Sequence, residues 1–188
     1  SQVAVRRRAG RNEQVVRAGE DAESLIVLLT GRAKVTNFDE EGREIILAWL
    51  GPGEFFGEMG LIDGSPRSAS VVAVEPCELL AIGKAEFQRC IQENFQVAQK
   101  LMQILVRRLR EADRNIESLA LLDVYGRVAR LLLDMSEDEN GKRVVRQKIS
   151  KQDMARMIGA SREMVSKVMR DLELGGYIVV DNDLITIT

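Results

Sequence analysis

The hydrophobic positions of this chain change their spacing twice. From Ser1 to about Gly83 they form short strand-like runs: Val15-Val16, Leu25–Leu29, Ala33–Val35, Ile45–Leu50, Ala69–Val74 and Leu79–Ile82. Gly19, Gly31, Gly42, Gly51, Gly53 and Gly64 fall between them. Many short strands with turn signals at this interval predict a β-sandwich or roll. Asp39-Glu40-Glu41-Gly42, between Val35 and Ile45, marks a hairpin tip.

From Lys84 to about Leu119 glycine disappears and helix formers take over. Phe87 and Ile91 share one face of a short helix, and a long helix follows. Its apolar positions Ala98, Met102, Leu105, Leu109, Ala112, Ile116 and Leu119 alternate spacings of four and three. A heptad seam of this kind predicts a helix packed on a partner helix. Arg107, Arg108, Arg110, Asp113 and Arg114 leave the stripe narrow, which favours a two-chain coiled coil over a helix lying on its own domain.

Beyond Leu121 the pattern becomes a compact α/β unit. Val124, Val128, Leu131 and Leu132 mark a helix ending near a loop at Ser136–Gly141, and a strand is expected at Arg143–Ile149. Ser150-Lys151-Gln152-Asp153 is a capping box with its acid at the positive end of the helix dipole, and Ser161 is a good N-cap for a second helix. Ile158-Gly159-Ala160 between them gives helix–turn–helix spacing. Tyr177–Val180 and Leu184–Ile187, joined through Asp181-Asn182-Asp183, predict a β-hairpin wing. The expected fold class is α+β, divided into residues 1–95, 96–120 and 121–188.

Composition narrows the chemistry. With 188 residues, 45% hydrophobic and 30% charged, the chain is expected to be globular. No apolar run approaches membrane-spanning length. Ser1–Gly10 has no apolar signal core, so no secretion is expected; without a Met and entering mid-strand, it points to further residues upstream. The absence of His removes His-ligated metals and any Ser/His or Cys/His nucleophilic pair. Cys77 and Cys90 cannot build a cluster within one chain and are expected to be buried, inert thiols in a reducing cytoplasm. No metal and no enzymatic activity are expected. Charge is uneven: Lys142, Arg143, Arg146, Lys148, Lys151, Arg156, Arg162, Lys167 and Arg170 face only Asp153 and Glu163. That local +7, within a chain of net charge −2, leaves −9 elsewhere. A basic end on an acidic body is the footprint of a DNA reader.

The richest segment of the first zone runs from Gly53 to Ala69 and contains Phe56-Gly57-Glu58-Met59-Gly60-Leu61 and Pro66-Arg67-Ser68-Ala69. Gly57 and Gly60 permit close backbone approach to a ligand, a helix start there offers N–H groups to an anion, and Arg67 supplies a planar cationic fork. Glu58 beside a phosphate makes sense facing a neutral hydroxyl. No metal ligand or general base accompanies the site, so it is expected to bind and release.

This segment resembles the phosphate-binding cassette of cyclic-nucleotide-binding domains, including the regulatory subunit of cyclic-AMP-dependent protein kinase. The resemblance implies that Glu58 accepts from a ribose 2′-OH, while Arg67, Ser68 and the backbone of Gly57 and Glu58 hold the cyclic phosphate, with Met59 in the same site. The order of roll, long helix, Leu122-Asp123-Val124-Tyr125-Gly126-Arg127 and winged helix resembles the catabolite activator / fumarate-nitrate regulator superfamily of bacterial transcription regulators. On the second helix of the reader, Arg162, Glu163, Ser166, Lys167 and Arg170 recur on one side. Met164, Val165, Val168, Met169 and Leu172 are expected on the buried side. Lys151, Gln152 and Ser161 complete the expected DNA-binding set.

The resemblance implies a cyclic-nucleotide-binding β-roll (jelly roll), a long dimerisation helix and a C-terminal winged helix-turn-helix, with a cyclic nucleotide as ligand, cyclic AMP first and cyclic GMP or cyclic-di-GMP as alternatives. It implies a homodimer through Met102, Leu105, Leu109, Ala112, Ile116 and Leu119, bound to an inverted repeat in double-stranded DNA with half-sites like TGTGA. Arg162 would read guanine and Glu163 cytosine. RNA polymerase is an expected partner; a membrane is not. Ala112 and Asp113 stand where the family has a Thr-Ser pair holding the adenine amino group, Arg108 where it has an arginine paired with the ribose-binding Glu, and Lys167 where it has an arginine. Sensing of cyclic-di-GMP, activity without ligand, and a kinase or channel regulatory subunit are the rival readings.

Overall fold

The structure is a computed structural model that describes residues 4–181 and 184–188. It divides into two compact units, Ser1–Val106 and Arg107–Thr188.

The first unit holds β1 (Val5–Ala9), β2 (Gln14–Val16), β3 (Ser24–Thr30), β4 (Ala33–Phe38), β5 (Glu44–Leu50), β6 (Phe55–Phe56), α1 (Glu58–Asp63), β7 (Ser70–Ala73), β8 (Cys77–Gly83), α2 (Lys84–Glu93) and the start of α3 (Phe95–Leu121). Two antiparallel four-stranded sheets, in the orders β1-β8-β3-β6 and β2-β7-β4-β5, enclose one core. Ile26 and Leu28 of β3, Ala33 of β4, Leu50 of β5, Phe56, Val71 and Leu79 meet there. A run of apolar residues in β3 buries Leu25, Ile26 and Leu28 on both faces, because the strand lies between the first core and a second one. That second core joins Ala22, Leu25, Leu61 of α1 and Phe87 of α2, with Leu101 of α3 packed against it. The expected hairpin tip is present, with the Asp39 carboxylate accepting from the backbone N–H groups of Glu41 and Arg43. Hydrogen bonds from the Arg43 backbone and side chain hold that carboxyl below its ordinary range.

The second unit takes the rest of α3, then α4 (Val124–Asp134), β9 (Glu137–Glu139), β10 (Lys142–Val145), α5 (Lys151–Ile158), α6 (Arg162–Leu174), β11 (Ile178–Asp181) and β12 (Leu184–Ile187). The Asp123 carboxylate caps α4 by accepting from Gly126 N–H at 2.8 Å. Val128, Leu131 and Leu132 of α4, Met154, Ala155 and Ile158 of α5, and Val165, Val168, Met169 and Leu172 of α6 form its core, closed by Val145, Ile178 and Ile185 of the sheet.

Three expectations need correction here. Residues 136–141 are not a simple loop, because β9 pairs antiparallel with β10 and completes a sheet of order β11-β12-β10-β9. Its sequence, Glu137-Asp138-Glu139, has poor strand propensity, but the register sets Asp138 opposite Arg143 and Glu139 opposite Lys142. Arg146 also pairs with Glu139 and holds that carboxyl below its ordinary range. The strand expected at 143–149 accordingly stops at Val145, where its pairing with β12 ends. Cys77 is buried, and burial raises its thiol pKa, but Cys90 is exposed on the outer side of α2. The turn at Asn182-Asp183 lies outside the described residues.

Leu28 is fully buried in the centre of the first core. Leu28→Ala is expected to destabilise the roll by about 2–5 kcal/mol, seen as a lower denaturant midpoint. Val5→Ala, at an exposed position of β1, should leave that midpoint unchanged.

Candidate functional site

The cassette is built around one buried cation. β6 delivers the chain to Gly57, whose φ of 86° lies in the left-handed region, and α1 begins at the next residue. The chain then returns through Ser65-Pro66 to Arg67, only 9% exposed. Arg67 Nη1 donates to the Gly57 carbonyl at 3.0 Å, and Nη2 donates to the Ser24 carbonyl of β3 at 2.8 Å. Its backbone is held as firmly: Arg67 N–H donates to Glu20 O, and Gly19 N–H donates to Arg67 O, both at 2.8 Å. A Cβ at position 57 would fall 1.8 Å from Arg67 Nη1, so Gly57 is required both by its dihedral and by the guanidinium lying against it.

Burial lowers the pKa of Arg67, while the negative charges of Glu58 and Glu20 oppose that shift. Arg67 stays charged throughout, with guanidinium donors beyond the two spent on carbonyls. Glu58 itself is only 3% exposed, a carboxylate buried at the first position of α1. A buried cation and a buried acceptor side by side suit an anion that carries an adjacent hydroxyl. Ser68 and Met59 complete the near wall, with Ser68 Oγ 3.7 Å from Met59 Sδ.

The structure thus brings together Gly57, Glu58, Met59, Arg67 and Ser68. Arg108, Ala112 and Asp113 lie on the part of α3 that belongs to the second unit, Arg108 half-buried, Ala112 and Asp113 exposed. Sequence reasoning passed over the Ser24 carbonyl, which no side chain announces. It also passed over Asn37 of β4, whose Nδ2 donates to the Ser68 carbonyl at 3.2 Å. Strand alternation was the available signal for Asn37, which shares a face with Ala33 and Val35.

The second constellation is the pair α5 and α6. Ser150 Oγ accepts from Asp153 N–H at 3.0 Å and donates to Asp153 Oδ2 at 2.7 Å, which completes the capping box. Lys151 and Gln152 stand exposed on the first turn. Gly159, at φ 62°, ends α5, and Ser161 Oγ accepts from Met164 N–H at 3.2 Å to start α6. Val165, Val168, Met169 and Leu172 take one side of α6 into the core. Arg162, Glu163, Lys167 and Arg170 are exposed, with Ser166 half-buried at the margin. Met164 departs from expectation and is 49% exposed. The apolar stripe at 165, 168, 169 and 172 is already complete, and one step back along the helix turns residue 164 out of it.

Along α3 no residue is buried. Of the seam, Met102, Leu109, Ile116 and Leu119 are each more than half exposed, Ala112 is exposed and Leu105 half-buried.

Comparison with known proteins finds a family match around each constellation. Residues 6–94 match the cyclic nucleotide-binding domain family, and residues 126–188 match the Crp-like helix-turn-helix domain family. The cAMP-activated global transcriptional regulator CRP of Pasteurella multocida is 40% identical over 166 residues, 85% of this chain and 78% of that protein. This chain belongs to the CRP/FNR family of cyclic-nucleotide-binding transcription regulators. Another CRP/FNR relative, the cAMP-activated global transcriptional regulator Vfr of Pseudomonas aeruginosa, is 37% identical over 185 residues, 93% of this chain and 85% of that one. The solved c-di-GMP responsive global regulator CLP of Xanthomonas campestris superposes with a TM-score of 0.79 at 28% identity, covering 98% of this chain and 94% of its own. CRP and Vfr are named as transcriptional regulators and CLP as a global regulator, none of them as an enzyme. Among the described residues no helix is long and apolar enough to cross a membrane.

The Gly57–Arg67 contact generates a direct test. Gly57→Ala must displace the guanidinium and strain the backbone at once. Cyclic-nucleotide binding measured by calorimetry should then be lost, with a lowered melting temperature for the roll. Arg67→Lys, with one ammonium in place of the fork, cannot span both the Gly57 and Ser24 carbonyls and should lose most of the affinity.

Proposed function

We propose that the chain is a homodimeric, cyclic-AMP-responsive regulator that binds an inverted repeat in DNA from the cytoplasm and works on RNA polymerase. The observation that carries the ligand reading is the buried Arg67, with donors to spare beside buried Glu58, in a cassette whose shape depends on it. In this reading Arg67 and Ser68 hold the cyclic phosphate, Glu58 accepts from the ribose hydroxyl, and Met59 covers the site. The named relatives CRP and Vfr, both described as cAMP-activated, support cyclic AMP.

The exposed α3 seam supports dimerisation, since a second copy would supply the partner for Met102, Leu105, Leu109, Ala112, Ile116 and Leu119. Arg162, Glu163, Ser166, Lys167 and Arg170 would face base edges, with Lys151, Gln152 and Ser161 at the phosphates. Ligand would act by population shift, binding more tightly to the arrangement in which the two reading helices match successive half-sites.

A second reading is cyclic-di-GMP as ligand. It draws on Ala112 and Asp113, which lack the hydroxyls of the family's Thr-Ser pair, and on the likeness to the c-di-GMP responsive CLP. Titration with cyclic AMP, cyclic GMP and cyclic-di-GMP, each followed by retention of a palindromic DNA fragment, separates the readings. Binding of none of the three would end the ligand assignment.

Two further outcomes are expected. Leu109→Glu with Ile116→Glu should give monomers in sedimentation velocity and collapse DNA binding, because like charges would meet across a two-fold contact. Arg162→Ala should cost about 1–3 kcal/mol and relax the choice at one guanine, whereas Lys151→Ala should weaken all sequences alike and lower the salt slope by about one.

A further inference from the structure

We infer that Asn37 is a specificity-determining residue that reads the adenine edge of the ligand, an inference that rests on the cyclic-nucleotide reading of the cassette. The starting point is a violation of pattern. β4 runs in unbroken register with β7 from Ala33 to Thr36. The shift in its pairing with β5 between Val35 and Thr36 skips a residue of β5, Leu47, not of β4. Alternation along β4 therefore carries Ala33, Val35 and Asn37 to one face. Ala33 is fully buried in the core, and Val35 packs against it. The next position on that face asks for an apolar residue and instead holds a half-buried amide. Such departures from pattern belong to functional sites.

The surroundings of Asn37 are those of a binding wall. Its cross-strand partner Ile45 is 44% exposed, where an inward position of a filled sandwich would be buried. Its Nδ2 donates to the carbonyl of Ser68, the residue after Arg67 in the cassette, and the Ser68 hydroxyl meets the Met59 sulfur. A carbonyl only accepts, so this bond settles which end of the amide faces Ser68. Oδ1 and the second N–H remain as an adjacent acceptor and donor. Adenine presents the complement, an N6 amino donor beside the N7 acceptor, whereas guanine shows two acceptors, N7 and O6, on the same edge.

The test is calorimetry on the full chain with cyclic AMP and with the 3′,5′-cyclic monophosphate of purine riboside, which lacks only the 6-amino group. The parent is expected to favour cyclic AMP by about tenfold, the effect of losing one well-made hydrogen bond and stranding its partner. Asn37→Ala should erase that preference and bring the two ligands to equal affinity, because cyclic AMP loses the contacts at N6 and N7 while the analogue loses only the one at N7. An unchanged melting temperature certifies the fold. Should the alanine variant fold poorly, Asn37→Leu suits the inward alternation of β4 and carries the same expectation. Equal weakening of both ligands would reveal a merely structural tie to Ser68 and overturn the inference, as would an undiminished preference in the variant. A parent that shows no preference between the two ligands overturns it too. A parent that binds none of these nucleotides refutes the cassette reading itself, a result distinct from any of the others.

Discussion

A charge buried in a protein is tolerated only where fixed dipoles or opposite charges replace its water, and the first unit is arranged around such a charge. The Arg67 guanidinium ties the carbonyl of Ser24 on β3 to that of Gly57 at the end of β6. The Arg67 backbone ties both to the turn at Gly19-Glu20. Three stretches distant in sequence are thereby pinned to the start of α1, where Glu58 is buried in turn. Each contact constrains the residue types around it. Gly57 admits no side chain, and the carboxylates of Glu58 and Glu20 offset only part of what burial takes from the cation. The proposed ligand would meet a cation already oriented, so little ordering remains to be done on binding.

The second unit is arranged by different means. Its helices are placed by short-range devices, a carboxylate cap at Asp123 and hydroxyl caps at Ser150 and Ser161, with a left-handed glycine at 159. The stripe at Val165, Val168, Met169 and Leu172 then fixes the rotation of α6 about its own axis. Exposure of Arg162, Glu163, Lys167 and Arg170 is the complement of that stripe, so the reading face follows from core packing.

These differences explain what was legible from residues alone. Caps announce themselves, because the side chain that makes the bond sits three positions before its partner; both serines behave as their sequence context requires. The roll was legible from runs and glycines, and the cassette from its spacing. What escaped is what depends on partners remote in sequence. β9 forms from three acids because Lys142, Arg143 and Arg146 stand across from it. The Ser24 carbonyl belongs to every residue type equally. Asn37 falls just past the run Ala33–Val35 and before the hairpin tip, and only its pairing with Ile45 showed that it belongs to the strand. Met164 and Cys90 were assigned to buried sides on residue type, and helix geometry turned each outward.

None of the 27 residues of α3 is fully buried within its own chain, although Leu101 packs partly against the second core. Helices in proteins take most of their stability from packing of an apolar face, so the exposed turns of α3 depend on whatever covers the seam. When the cover is another macromolecule, mass action enters: thermal stability rises with concentration, and folding of the helix becomes inseparable from association. Cellular abundance then acts as an input in its own right. In the proposed dimer, low copy number would loosen the seam and slow the assembly of the DNA-reading pair before any small molecule had been consulted.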